Sequence, residues 1–331
     1  MKTIRVDFCG FWGSFNKEKN LFVNLLSKHF QVEISEKPDF VICSNRGAPF
    51  EYMRYDCVRI MFMGENLSPD FTVFDYVIGF DHMSFGDRYF RLPFAFYFDS
   101  GVPWTPERLT EERAREILKG KTVFCNFVYG HPSGNGVREK LFEALAAYKP
   151  VVSPGRYLNN TGSGGCGWAE KYRVLEASKF TIAADSISYP GFVTEKVIQP
   201  FERHSVPIYF GSPTVGEDIN ENAIVLCRSD SDADIRAAAE RAAYLDAHDD
   251  EYIEMLMQPP LKDERYLEKK YAELEEFLVR IFSQEPDRAG RRIKNFCADL
   301  HSSYLTDYMK KNASPSVLTR AKNAARKIAG K

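Results

Sequence analysis

Residues 178–213 read SKFTIAADSISYPGFVTEKVIQPFERHSVPIYFGSP. Two short apolar runs, FTIAAD (180–185) and VPIYFG (206–211), flank a segment of helical spacing over 193–204. Runs of this length, rich in β-branched and aromatic residues, read as buried strands. Strand, crossover helix and strand make one parallel βαβ unit. The polar turn SISYPG follows the first strand and lies at the carboxyl edge of such a sheet. Ligands of open α/β proteins sit at that edge.

The same alternation repeats outward. Upstream come a strand KTVFCNFV (121–128), a helix NGVREKLFEALAAY (135–148), a strand PVVS (150–153) and a helix AEKYRVLEAS (169–178). Nearer the start, TIRVDFCGF (3–11), QVEIS (31–35), FVICS (40–44), VRIMFMG (58–64) and FDYVIGF (74–80) read as strands, and 20–30 carries a helical stripe. SGVPWTPERL (100–109) is a proline-rich break. The pattern predicts α/β, with two Rossmann-like doubly wound domains. The first covers 1–105 and the second 106–285, with helices near 233–257 and 263–283. A helical region then fills 286–312 and a tail 313–331. Two comparable halves predict a ligand in the cleft between them.

Composition narrows the class. The 331 residues carry a net charge of −2, with 44% hydrophobic and 27% charged. That is a soluble globular composition with no overall attraction to nucleic acid, and no basic–aromatic interleaving extends into the folded part. No apolar run approaches membrane-spanning length and MKTIRVDFCGFWG lacks the apolar core of a signal peptide, so a cytoplasmic protein is expected. The seven cysteines form no CxxC and read as reduced thiols. The six histidines form no HExxH, and no metal is expected. SDSDAD (229–234) lacks the Gly and Glu of a calcium loop and reads as a cap for the helix IRAAAERAA. The tail is basic: Lys310 to Lys331 holds seven Lys and Arg and no acid. Val317, Leu318, Ala321, Ala325 and Ile328 share a helical face there, which predicts an amphipathic helix resting on an anionic membrane from the cytoplasmic side.

Within this frame a few residues stand out. Glu195 and Lys196 open the helix after SISYPG, with Thr194 as its expected cap. A helix start, a lysine and a carboxylate suit a ligand with phosphate and hydroxyls. A capped surface helix explains the same pair. Arg138 follows Gly134 and Gly136, and an arginine there can fork onto phosphate. Neither GxGxxG nor a P-loop is present. Glu65 follows the strand VRIMFMG and is expected to face the cleft, where a carboxylate can act as general base. The glycine-rich NNTGSGGCG (159–167) is expected to be a mobile loop able to fold over a ligand.

Residues 178–213 resemble the signature of the α1,3/4-fucosyltransferases, glycosyltransferase family 10. Lys179-Phe180, Val193-Thr194-Glu195-Lys196, Val206-Pro207-Ile208-Tyr209 and Gly211-Ser212-Pro213 carry the match. RIMFMGENLSPDFTVFDYVIGFDHMSFGDRYFRLP (59–93) is similar to the N-terminal segment of bacterial members, and NGVREKLFEAL to a third. The resemblance implies a GT-B fold, with GDP-fucose on the second domain and the acceptor on the first. It implies inverting α1,3 or α1,3/4 transfer to the GlcNAc of an N-acetyllactosamine-type glycan, with lactose-type acceptors in range. It makes Glu65 the base, sets Arg138 and Lys196 on the pyrophosphate and Glu195 on the sugar hydroxyls, and needs no metal or cofactor. Asp185, Ser186, Tyr189, Phe192 and Arg156 complete the expected donor-binding set. Two positions depart from the family. Its Phe-Glu-Asn is Ala184-Asp185-Ser186 here, and its Tyr before Val-Thr-Glu-Lys is Phe192. Both keep a GT-B transferase with another nucleotide sugar open, beside a non-catalytic nucleotide- or glycan-binding protein on the same fold. Bacterial members also resemble this chain in their basic tails.

Overall fold

The computed structural model describes residues 1–312 other than 49 and 133. The amphipathic tail predicted over 313–331 lies outside the described residues. The chain runs β1 (Thr3–Cys9), α1 (Leu21–Leu26), β2 (Gln31–Ile34), β3 (Phe40–Ser44), β4 (Val58–Phe62), β5 (Tyr76–Gly79) and β6 (Tyr89–Arg91). After the break come α2 (Glu111–Lys119), β7 (Val123–Asn126), α3 (Val137–Ala146), β8 (Val151–Val152), α4 (Trp168–Ala177), β9 (Ser178–Ala184), α5 (Glu195–Phe201), β10 (Val206–Phe210) and β11 (Val225–Leu226). The helices α6 (Asp232–Ala247), α7 (Asp249–Leu256), α8 (Tyr266–Phe282), α9 (Pro286–Ala289) and α10 (Phe296–Asn312) complete it. β6 and β11 are too short, at three and two residues, for a periodicity to show in the sequence. Among the described residues, no helix is long and apolar enough to cross a membrane.

The strands form two parallel sheets, ordered β2-β1-β3-β4-β5-β6 and β11-β10-β9-β7-β8. This is the predicted GT-B architecture. Every residue of β3 and β4 is buried, as strands covered on both faces require. In the first sheet Phe8, Ile42, Ile60 and Phe62 point to one core, and Cys9, Val41, Cys43 and Met61 to another. The second face departs from a doubly wound pattern. Among the described residues, no α-helix connects β3 to β4, β4 to β5 or β5 to β6. Tyr52, Met53, Tyr55 and Phe71, from the connecting segments, cover that face instead.

Helix α8 corrects the predicted boundary at 285. It lies in sequence with the second domain, but Leu267, Leu274, Phe277 and Phe282 pack into the core of the first sheet. Phe282 meets Phe40 at 4.5 Å between ring centroids, and Glu275 pairs with Lys28 at 2.6 Å. The physical reason is area: α1 is a single six-residue helix and cannot cover a six-stranded sheet. The chain therefore crosses back, and residues 286–292 follow α8 onto the same domain. The Tyr76 hydroxyl donates to the Ala289 carbonyl at 2.8 Å, and the backbone N–H of Arg291 donates to Asp75 at 2.7 Å.

The domains share a core. Val193, Val197 and Ile198, at the start of α5, belong to the cluster of the first sheet. The Ala95 N–H donates to the Val193 carbonyl at 3.0 Å. Arg91 at the end of β6 donates through both Nη atoms to the fully buried Asp218, each at 2.7 Å. Tyr189 donates to Asp81 at 2.9 Å, and His82 meets the Thr214 hydroxyl at 2.8 Å. These contacts surround the segment that carries the sequence signature.

Candidate active site

A cavity of about 250 Å³ opens at the carboxyl edge of the second sheet. Arg138 from α3, Lys171 from α4, and Glu195, Lys196 and Gln199 from α5 line it, with Tyr129 and His131 from the β7–α3 connection. Its charge is dominated by three cations against one carboxylate. The sequence placed Arg138, Glu195 and Lys196 in a common site, and the structure brings them together.

Each cation is held from behind. Arg138 Nε donates to the Ala184 carbonyl at 3.0 Å, and its guanidinium lies 4.3 Å from the Tyr129 ring centroid. Lys171 Nζ donates to Gln199 Oε1 at 2.6 Å. Burial lowers the Lys171 pKa, so the ammonium gains when an anion arrives. Lys196 Nζ stands 3.5 Å from Glu195 and 3.6 Å from Asp185. Burial works against its charge, but these two carboxylates more than offset that and raise its pKa. Burial likewise opposes the charge of Glu195, while Lys196 and Lys171 pull its pKa below the ordinary value.

Thr194 caps α5 as expected, its hydroxyl accepting from the Lys196 N–H. The helix itself is only seven residues long and contains Pro200, so its dipole is small. The side-chain cations, rather than the helix end, carry the positive charge of the cavity.

Other expected donor contacts sit elsewhere. Asp185 is fully buried beneath the cavity. It accepts from the Thr194 hydroxyl and, at 3.3 Å, from the Tyr209 hydroxyl. Burial pushes its carboxyl up to about 6, with Lys196 and Thr194 opposing. Phe192 is a core residue, edge-on to Phe80 at 5.0 Å across the domain junction. Tyr189 is spent on Asp81 of the first domain. Ser186 is exposed outside the cavity lining. Arg156 is also exposed. Its Nη2 lies 3.3 Å from where a Cβ at Gly130 would stand, which puts it at the rim because Gly130 lines the cavity. The carboxylate and rings fell on the inner side of the turn because Gly191, at φ +79, folds the segment back against the Phe80 carbonyl.

A second cavity, a cleft of about 700 Å³, borders the first, and Glu195 and Gln199 line both. Its walls come from both domains: Trp12, Arg46, Phe94 and Tyr97 from the first, Trp168, Tyr172 and Glu202 from the second. Glu65 does not line it. Glu65 follows β4 as predicted, with its N–H donating to Asn45 Oδ1 at 3.1 Å, but its side chain is ion-paired with Arg46. The expectation that Glu65 faces the cleft is corrected to an exposed carboxylate outside the cleft lining, paired with Arg46 of that lining.

The glycine-rich segment is better tied than a free loop. Asn159 Nδ2 donates to the Pro154 and Gly155 carbonyls at 3.0 and 2.8 Å, and Asn159 Oδ1 accepts from the Gly162 N–H at 3.0 Å. Ser231 caps α6 as predicted, accepting from the Asp234 N–H at 3.2 Å. Lys171, Gln199, Tyr129 and His131 were missed in the sequence. Lys171 lies in AEKYRVLEAS, where its amphipathic helix alone explains a lysine. Only the packing of α4 against α5 turns it inward.

Comparison with known proteins follows this geometry. Residues 6–98 match the model of the α-(1,3)-fucosyltransferase FucT N-terminal domain. The α-(1,3)-fucosyltransferase FucT of Helicobacter pylori is 27% identical over 299 residues, 78% of this chain and 60% of that protein. The chain thus spans less than two thirds of that relative's length. α-(1,3)-Fucosyltransferase B of Drosophila melanogaster is 41% identical over 169 residues, covering 41% of this chain and 36% of that protein. A crystal structure of an α1,3-fucosyltransferase superposes with a TM-score of 0.67 at 23% identity, covering 84% of this chain and 90% of that one. A crystal structure of an α1,3-fucosyltransferase with GDP-fucose gives 0.64 at 24% identity, over 84% of this chain and 91% of that one.

Proposed function

We propose that this chain, which belongs to the bacterial α1,3-fucosyltransferases of glycosyltransferase family 10, moves L-fucose from GDP-fucose to the GlcNAc of an N-acetyllactosamine-type glycan. The glucose of lactose-type glycans is the alternative acceptor. One observation carries the reading: Arg138, Lys171 and Lys196 line a single cavity that borders an aromatic cleft between the domains. A nucleoside diphosphate fits the first and a neutral glycan the second.

In the transfer, the acceptor oxygen attacks the anomeric carbon of fucose from the cleft side. The bond from that carbon to the phosphate oxygen breaks, and GDP leaves with the electron pair. Charge grows on the leaving phosphate, beside the three cations. Glu195 accepts hydrogen bonds from donor hydroxyls. Glu65 takes the acceptor proton, after its carboxylate parts from Arg46. Its exposed position in the turn after β4 permits that movement. Such a base contributes roughly 10²–10⁴-fold. Attack opposite the leaving group inverts the anomeric configuration.

Asp185, Ser186 and Phe192 fall outside the cavity lining, so the departures from the family pattern lend no weight to a different donor. A panel of GDP-fucose, GDP-mannose and UDP-sugars tests the reading, run with the wild type and Glu65→Gln. GDP-fucose alone should serve the wild type, and the variant should bind GDP normally while losing transfer. Use of another donor would refute the donor assignment, and wild-type turnover by Glu65→Gln would remove Glu65 as base. We further propose that the basic segment 313–331 binds an anionic membrane surface from the cytoplasmic side, on the strength of its lysines and arginines. Equal co-sedimentation with anionic liposomes by the full chain and one ending at Asn312 would refute that.

A further inference from the structure

The two adjoining cavities divide by charge. The donor cavity sets Arg138, Lys171 and Lys196 against Glu195. The cleft sets Asp99, Glu195 and Glu202 against Arg46, and Arg46 is already paired with Glu65. A ligand of the cleft is therefore not an anion. What the cleft offers is rings and hydrogen-bonding groups, the complement of a neutral polyhydroxylated molecule whose C–H faces are apolar.

The rings are not equivalent. Trp12 is packed edge-on against Phe11, Phe15 and Tyr97, with centroids 5.6, 5.6 and 5.4 Å away. With Phe94 at 6.2 Å, it is ringed by aromatic side chains of its own domain. Trp168, at the first turn of α4, is 65% exposed. Among the described residues its one ring neighbour is Tyr172 at 6.2 Å. An indole this exposed leaves apolar ring surface open for a partner to cover. Its position is also specific. Lys171 Nζ lies 5.3 Å from the Trp168 ring centroid, and the same Lys171 lines the donor cavity. Trp168 thus stands on the donor domain, beside the point where the two cavities meet.

We propose that Trp168 is the stacking platform for a pyranose ring of the acceptor. One face of the indole covers the apolar C–H face of the sugar, while Gln199 and Glu202 bond its hydroxyls. The ring is then held next to the donor, and Trp168 acts as a specificity residue without touching the donor itself. This rests on the glycosyl-transfer reading above and names the acceptor contact within it.

Two measurements test it. Saturation-transfer NMR with N-acetyllactosamine, in the presence of GDP, requires no catalysis. The wild type should saturate the C–H protons of one pyranose face, Trp168→Ala should lose that pattern, and Trp168→Phe should retain part of it. In steady-state assays Trp168→Ala should raise the acceptor KM roughly tenfold, and by more than it raises the GDP-fucose KM. An unchanged acceptor KM and saturation pattern would overturn the platform and leave the transfer reading standing. An equal loss in donor parameters would overturn it too, because Trp168 would then be shaping the donor cavity. Saturation of the acceptor without any transfer by the wild type would refute the transferase reading and keep the platform.

Discussion

Asp185 is a signature position that lies buried beneath the cavity rather than in its lining. Its buried carboxyl lies between the Thr194 and Tyr209 hydroxyls and 3.6 Å from Lys196. Burial raises its pKa from 3.8 to about 6, equivalent to about 3 kcal/mol at most. The folded state binds this proton more tightly than the unfolded state. The contribution to stability is therefore full below pH 3.8, falls as pH rises, and is lost above about 6. Relative to wild type, Asp185→Asn should gain stability between those limits, read by urea denaturation across pH. An identical pH slope in both proteins would show that Asp185 does not titrate there. The same cluster explains Gly211, where a Cβ would collide with the Tyr209 hydroxyl and Asp185. Glu195 and Lys196 were legible as a ligand grip because they share a helix start with the signature. Asp185, Tyr189 and Phe192 read as donor contacts for the same reason, proximity in sequence. Sequence distance does not record that Gly191 turns the segment over.

At the scale of elements, the site is made by α4 and α5 meeting over the edge of β9. Each helix contributes one lysine, and Gln199 links them through Lys171. Lys171→Ala should weaken GDP binding roughly tenfold to a hundredfold, the worth of a charge-assisted hydrogen bond, measured by calorimetry. Unchanged affinity would take Lys171 out of the phosphate site. Apart from β6 and β11, the strands of both sheets and most helices were readable from sequence pattern. The failures have physical causes. β6 and β11 have too few residues to show a pattern, and α8 carries an apolar stripe that fits either domain until the uncovered face of the first sheet claims it.

The whole molecule is two parallel sheets joined beside the donor signature. Arg91 and Asp218 form the most buried link, with Tyr266 of α8 donating to the same carboxylate. Removing one partner leaves a charge in the interior. Arg91→Ala should cost about 3–5 kcal/mol in denaturant unfolding. A loss under 1 kcal/mol, a typical surface pair's worth, would mean that the junction is carried by the shared apolar core alone. On the proposed reading this junction frames a cationic cavity for GDP and an aromatic cleft for a neutral glycan. The most direct test of that reading is NMR of the product formed from GDP-fucose and N-acetyllactosamine with EDTA present. The account predicts fucose α1,3-linked to GlcNAc, with inverted anomeric configuration and an undiminished rate. No fucosylated product, a retained configuration, or dependence on the chelated metal would contradict it.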